Sequence, residues 1–237
     1  MGGALSALGA PVAVLRAEQG VLAARTDAPW GPVLELAQGV WARWPDRAHA
    51  ILRRRVFVDA AREVDAACTP VVAKKRTVVV GSGAFPIVDL GPAAEAARAT
   101  LVPLPLPGGD LGEVARACSS MAASLDRGER LAVSDRPVVA ALVVDGEVLL
   151  ATRNQAGRNR CLHAEVALVQ LWWRRSGRLP AGATVATSLQ PCRMCAAVLL
   201  AAATTPDRLE VVYGAADPGR FARDTVLARR GLERALE

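Results

Sequence analysis

Residues 161–195, CLHAEVALVQLWWRRSGRLPAGATVATSLQPCRMC, constrain this chain more than any other stretch. His163 precedes one amphipathic run, and Cys192 and Cys195 head another, so two helix starts must meet if these side chains are to share a partner. Cys192 and Cys195 are three apart, which on a helix sets both sulfurs on one side of the first turn. Pro191 suits a helix start. Thiolates are favoured there, because the positive end of the helix dipole lowers thiol pKa values. Val166, Leu168, Val169 and Trp172 give the run after His163 a face to pack on a sheet. One imidazole and two thiolates form a ligand set for a zinc ion, and three protein ligands leave the fourth tetrahedral position open for water. Glu165, two residues past the histidine, is a carboxylate that can take a proton from such a water and pass it to a leaving group. The other reading is a structural zinc that staples the two helices. It needs a fourth protein ligand, and Cys161, just outside the helix start, is the candidate.

H-x-E followed by P-C-x-x-C is the signature order of the zinc-dependent nucleobase deaminases. HAEVAL, ATVATSLQPCRMCAAVL and VVYGAADPG resemble the cytidine deaminase-like superfamily, and within it the TadA-like branch of tRNA adenosine deaminases, with its HAE, LEPCxMC and YGAxD stretches. Residues 136–154, RPVVAALVVDGEVLLATRN, are similar to the hairpin that precedes the zinc helix in that family. The chain also resembles small bacterial nucleic-acid deaminases that couple such a domain to an unrelated amino-terminal one. The likeness covers residues 110–218 and leaves the first hundred untouched.

The resemblance implies a cytidine deaminase-like three-layer α/β/α sandwich with a mixed sheet. It implies Zn2+ held by His163, Cys192 and Cys195, with Glu165 as the catalytic acid and base and Asn154 holding the target base. Arg158 and Arg160, with Arg153, lie on the loop running into the zinc helix, where phosphates flanking an extruded base can reach them. The implied reaction is hydrolytic deamination of a nucleobase within nucleic acid, adenine to hypoxanthine or cytosine to uracil. RNA such as tRNA, in a single strand or loop, is the favoured partner. A free base or nucleoside, and cytosine in DNA, stay open as substrates. The intact Glu165 argues against a noncatalytic RNA-binding subunit.

At 237 residues the chain has room for two domains. A hydrophobic content of 52% with 22% charge describes a globular protein, and apolar runs such as residues 196–203 fall far short of a membrane span. The start MGGALSALGAPVAVLRA lacks the basic n-region of a secretory signal. MGGALS fits the loose myristoylation pattern, but an ordinary Gly- and Ala-rich start explains it as well. Five cysteines imply no paired framework and suit a reducing cytoplasm, with Cys68 and Cys118 read as buried small hydrophobes. The net charge of +6 divides evenly between the halves and supports a polyanionic partner without requiring one.

Residues 1–100 read as a smaller α/β domain, a candidate platform for nucleic-acid recognition. A hairpin spans residues 11–15 and 21–24, helices cover 32–44 and 47–67 with a stop at Thr69-Pro70, a strand covers 77–80 and a helix 92–99. Arg53, Arg54 and Arg55 read as a solvated helix face, with a phosphate-binding stripe as the alternative. The prolines and glycines of LVPLPLPGGD continue neither a helix nor a central strand, which makes residues 101–109 a linker. The deaminase-like half, 110–237, then gives a helix capped by Asp110, a hairpin over 138–144 and 147–152 turning on Asp145-Gly146, the zinc helix, a strand over 184–189, a helix over 192–203 and a strand over 209–213. Residues 220–237 read as one last helix, where the resemblance implies a fifth strand, so the sheet is expected to be a strand short. Its edge must then be short, covered by the strand at 77–80, or paired with a second copy in a homodimer.

Overall fold

The structure, a computed structural model, describes residues 12–18, 20–53, 56–58, 62–72, 78–79, 87–99, 101, 103–125, 136–155 and 159–236. Two units follow from it, Met1–Thr100 with Asn159–Cys161, and Leu101–Arg158 with Leu162–Glu237.

In the first unit β1 (Val12–Ala17) and β2 (Gly20–Arg25) form an antiparallel hairpin with Leu15 opposite Leu22. β3 (Val56–Val58) pairs with β1, β4 (Val78–Val79) with β3 and β5 (Ile87–Asp89) with β2, giving the order β4-β3-β1-β2-β5. Helix α1 (Gly31–Arg43) packs on this sheet, followed by α2 (Ala48–Ile51), α3 (Glu63–Val72) and α4 (Gly91–Ala99). No local side chain caps α1; Asp65 of α3 does so from a distance, accepting from Val33 N at 3.2 Å. Buried Glu35 accepts from Trp30 Nε1 at 2.8 Å and from Arg98 Nη1 at 2.6 Å, so its charge is paired.

The single helix expected over residues 47–67 is two helices with β3 between them. Val56 and Val58 are buried and Phe57 is half-buried, the period-two pattern of a strand. Arg53 sits in the turn after α2 and is exposed, while Arg54 and Arg55 lie outside the described residues. Pro70 does not stop α3, which runs on to Val72. Of the strand expected over 77–80, Val78 and Val79 form β4, and Thr77 and Val80 lie outside the described residues.

The second unit is α5 (Leu111–Ser124), β6 (Val139–Val144), β7 (Glu147–Arg153), α6 (Ala164–Ser176), β8 (Thr184–Leu189), α7 (Arg193–Ala202), β9 (Glu210–Ala215), α8 (Val226–Arg229) and β10 (Glu233–Ala235). Its sheet order is β7-β6-β8-β9-β10, antiparallel about β6 and parallel from β8 to β10. Val139, Ala141 and Val143 of β6 meet Val114, Ala115, Cys118 and Ala122 of α5, while α6 packs against β6 and β7 on the opposite face. The result is an α/β/α sandwich on a mixed sheet. Asp145 and Gly146 take φ of 49° and 79°, the left-handed pair that a two-residue hairpin turn requires.

The sheet is not a strand short. Residues 220–237 are not one helix: α8 ends after one turn, Gly231 turns the chain at φ 68°, and β10 pairs parallel with β9, Glu233 opposite Val211. β4, expected to cover that edge, belongs to the other sheet. The charged strand ERA suits an edge, and Arg234 Nη2 reaches Glu210 Oε1 at 2.8 Å. The stretch expected as a linker is bonded to the hairpin: Leu104 N donates to Ala151 O at 2.7 Å and Gly109 N to Gly146 O at 3.1 Å. Leu104 and Leu106 pack on the α5 cluster. Among the described residues no helix is long and apolar enough to cross a membrane.

Candidate metal centre

β7 and β8 are each antiparallel to β6, so they run in the same direction and their carboxyl ends lie at one end of the sheet. The chain leaving β7 reaches α6 through His163, and the chain leaving β8 reaches α7 through Cys192. Both residues are in N-cap positions with extended backbone, φ −66° and ψ 157° for His163, φ −74° and ψ 169° for Cys192. Neither side chain caps its own helix. Thr152 Oγ1 of β7 donates to Ala164 O at 2.7 Å and ties the first turn of α6 to the sheet.

This geometry brings together side chains that are far apart in sequence. His163 Nδ1 lies 3.6 Å from Cys192 Sγ and 3.4 Å from Cys195 Sγ, and the two sulfurs are 3.5 Å apart. A tetrahedral zinc ion, with Zn–S of about 2.3 Å and Zn–N of about 2.0 Å, spaces its ligand atoms about 3.5–3.8 Å apart, so the donor set fits the ion. Among the described residues the group that can hold a metal has these three members. Cys161, the candidate fourth ligand, is not one of them, and burial pushes its thiol far up.

Glu165 is buried in the first turn of α6 and also stands outside that triad. Its Oε2 accepts from Cys195 Sγ at 3.3 Å. Burial raises its carboxyl above the ordinary value, with the His163 charge opposing. The two thiols share their proton unevenly. Cys192 is held well below the usual thiol range by the hydrogen bond with Cys195 first, and Cys195 is pushed well above it by burial. A bound cation replaces such a proton, since thiol ligands must ionise to coordinate.

The remaining expected site residues are placed differently. Asn154 follows β7, donating through Nδ2 to Arg136 O at 3.0 Å and through its backbone N to Val138 O at 2.8 Å. Arg136 Nη1 in turn meets Asp217 Oδ1 at 2.5 Å, and that oxygen accepts from Gly219 N at 2.8 Å. Sequence reasoning missed the Arg136–Asp217 link. Its only local signal was the Asp-Pro-Gly turn, because the two residues are 81 apart. Arg160 groups with the first unit, exposed, its guanidinium 5.8 Å from the Trp41 ring centroid. Arg158 lies outside the described residues.

Comparison with known families places the triad in context. Residues 129–237 match the Bd3614-like deaminase family model. That match takes in a little under half of the chain. A tRNA-specific adenosine deaminase of Agrobacterium fabrum (strain C58 / ATCC 33970) is 37% identical over 86 residues, covering 35% of this chain and 53% of that protein. The chain thus spans about half the length of that relative. Among solved structures, one from a study of A-to-I editing by tRNA:A34 deaminases aligns at 28% identity and TM-score 0.39, covering 50% of this chain and 87% of that one. The dCMP deaminase of cyanophage S-TIM5 aligns at 18% and TM-score 0.37, covering 51% and 91%. The segment that the family model matches holds all three mutually close donors together with Glu165.

Proposed function

We propose that the second unit is a zinc-dependent hydrolase that removes an exocyclic amine from a nucleobase within nucleic acid. RNA such as tRNA is the favoured substrate, with adenine going to hypoxanthine or cytosine to uracil. The observation that carries the reading is the donor triad with ligand atoms 3.4–3.6 Å apart and a buried carboxylate beside it that is not part of it. His163, Cys192 and Cys195 hold the ion. When bound, zinc supplies a Lewis acid that makes water a competent nucleophile near neutral pH.

The chain's own residues do the rest. Glu165 accepts the proton that water gives up and returns it to the departing nitrogen, so amine plus water becomes carbonyl plus ammonia. Asn154 holds the base by hydrogen bonding, oriented by its bond to Arg136 O. Arg158 and Arg160 contact flanking phosphates, and the first unit serves as a recognition platform. Five free cysteines fit a reducing cytoplasm.

The test is incubation of purified full-length protein with tRNA, total RNA, single- and double-stranded DNA and a nucleoside panel. Sequencing reads A-to-G and C-to-T changes, and ammonia release reads the panel. Conversion in RNA supports the reading. Ammonia from free nucleosides with no change in any polymer overturns the nucleic-acid assignment, and no product anywhere overturns the enzyme.

A further inference from the structure

The turn that carries Cys192 is held on both sides by the last part of the chain. Just before it, Gln190 N donates to Ala215 O at 2.8 Å, and Gln190 Nε2 donates to Glu233 Oε1 at 3.0 Å. Just after it, Arg193 N donates to Phe221 O at 2.7 Å and Arg193 Nε donates to Arg223 O at 3.0 Å. The second Glu233 oxygen accepts from Thr225 Oγ1 at 2.9 Å. That buried hydroxyl also accepts from Ala228 N at 3.0 Å, so it caps α8 while donating to Glu233. Glu233 itself is fixed by the ladder between β10 and β9.

Such outside support answers a local need. The first N–H groups of a helix have no partner within it, and Cys192 does not cap α7 with its own side chain. Arg193 N is satisfied by Phe221 O instead. A thiolate in this position meets an imidazole only if the backbone of the turn is held, because the donor atoms sit 3.6 Å apart across 29 residues of sequence.

We propose that Glu233 is a positioning residue of the metal centre. Its carboxylate clamps Gln190 to Thr225, so the final strand fixes the turn from which Cys192 reaches the ion. This rests on the zinc reading above. The clamp has a polarity: the amide at 190 gives a hydrogen, and the carboxylate at 233 takes two. Q190E sets two like charges against each other at this distance. Combining Q190E with E233Q restores one donor facing one acceptor and leaves an amide oxygen for Thr225.

The experiment uses zinc-loaded full-length protein and measures zinc affinity by competition with a chromophoric chelator, with thermal unfolding followed in parallel. Groups that orient metal ligands from behind contribute about 10-fold or more to affinity, so Q190E and E233A are each expected to weaken zinc binding about 10-fold. The combined Q190E and E233Q exchange is expected to return affinity close to the parent's. If E233A does not fold, the Q190E variant and its combined partner decide. A Q190E protein that unfolds earlier yet binds zinc as tightly as the parent overturns the clamp, as does a combined variant as weak as Q190E. Parent protein that takes up no zinc removes the zinc reading and the clamp with it, whereas a tight parent with an equally tight Q190E removes the clamp alone.

Discussion

Glu165 is the residue whose burial runs against stability. Its carboxyl is raised because desolvation penalises the charged form. The folded protein therefore holds that proton more tightly than the unfolded chain. The penalty is absent at acid pH, grows as pH rises through the ordinary carboxyl range and is complete above the folded value. E165Q keeps the shape and removes the charge. At neutral pH it is expected to unfold no earlier than the parent while turnover falls about 10²–10⁴-fold with zinc content unchanged. Calorimetry and metal analysis check this, and undiminished turnover contradicts the assigned role. Cys118 stands at the other extreme. Burial pushes its thiol up to about 12, and the sulfur donates to Ala186 O at 3.8 Å. Since the thiolate is the reactive form, Cys118 is expected to escape iodoacetamide in the native protein and to react only once the chain unfolds, as peptide mass spectrometry would report.

Helix α5 shows what local sequence controls at the scale of elements. Asp110 Oδ1 accepts from Glu113 N at 2.8 Å and Glu113 Oε2 accepts from Asp110 N at 2.9 Å, a reciprocal capping box. D110A is expected to cost about 1 kcal/mol, read as a lower urea midpoint with an unchanged slope. Signals of this kind act over three or four residues, and that is why α5, the Asp145-Gly146 hairpin, α6 and α7 are legible in the sequence. β3 and β10 were not. Each is three residues long, too short for a period to be counted, and each is a strand because a neighbour is already in place to pair with it. Arg178 Nη1 donates to Ala201 O and Ala203 O at 3.2 and 3.3 Å, closing the carbonyl end of α7 from more than twenty residues away.

For the molecule as a whole, zinc and polyanions are the two ligands to vary. An ion that binds only the folded form stabilises it by about 4 kcal/mol at a thousandfold excess over its dissociation constant. Chelation is therefore expected to lower the melting temperature, and re-addition of zinc to restore it; an unmoved melting curve counts against the metal. With a net charge of +6, binding to single-stranded RNA is expected to weaken with salt, with a log–log slope of about −0.7 per phosphate engaged. Turnover indifferent to salt points to a free base or nucleoside.

The sequence by itself determined which side chains can ligate, that each of the two clusters begins a helix, and that a carboxylate accompanies the imidazole two residues on. These are matters of residue type and spacing within a turn. Tertiary structure alone decided that His163 and Cys192, 29 residues apart, come within 3.6 Å, and that Gln190 finds Glu233 across 43 residues. It also decided that Cys161 stays out of the donor group. Helix propensity and capping are paid in the energy of neighbouring residues, whereas the meeting of distant loops depends on strand order and register, which no short window of sequence contains.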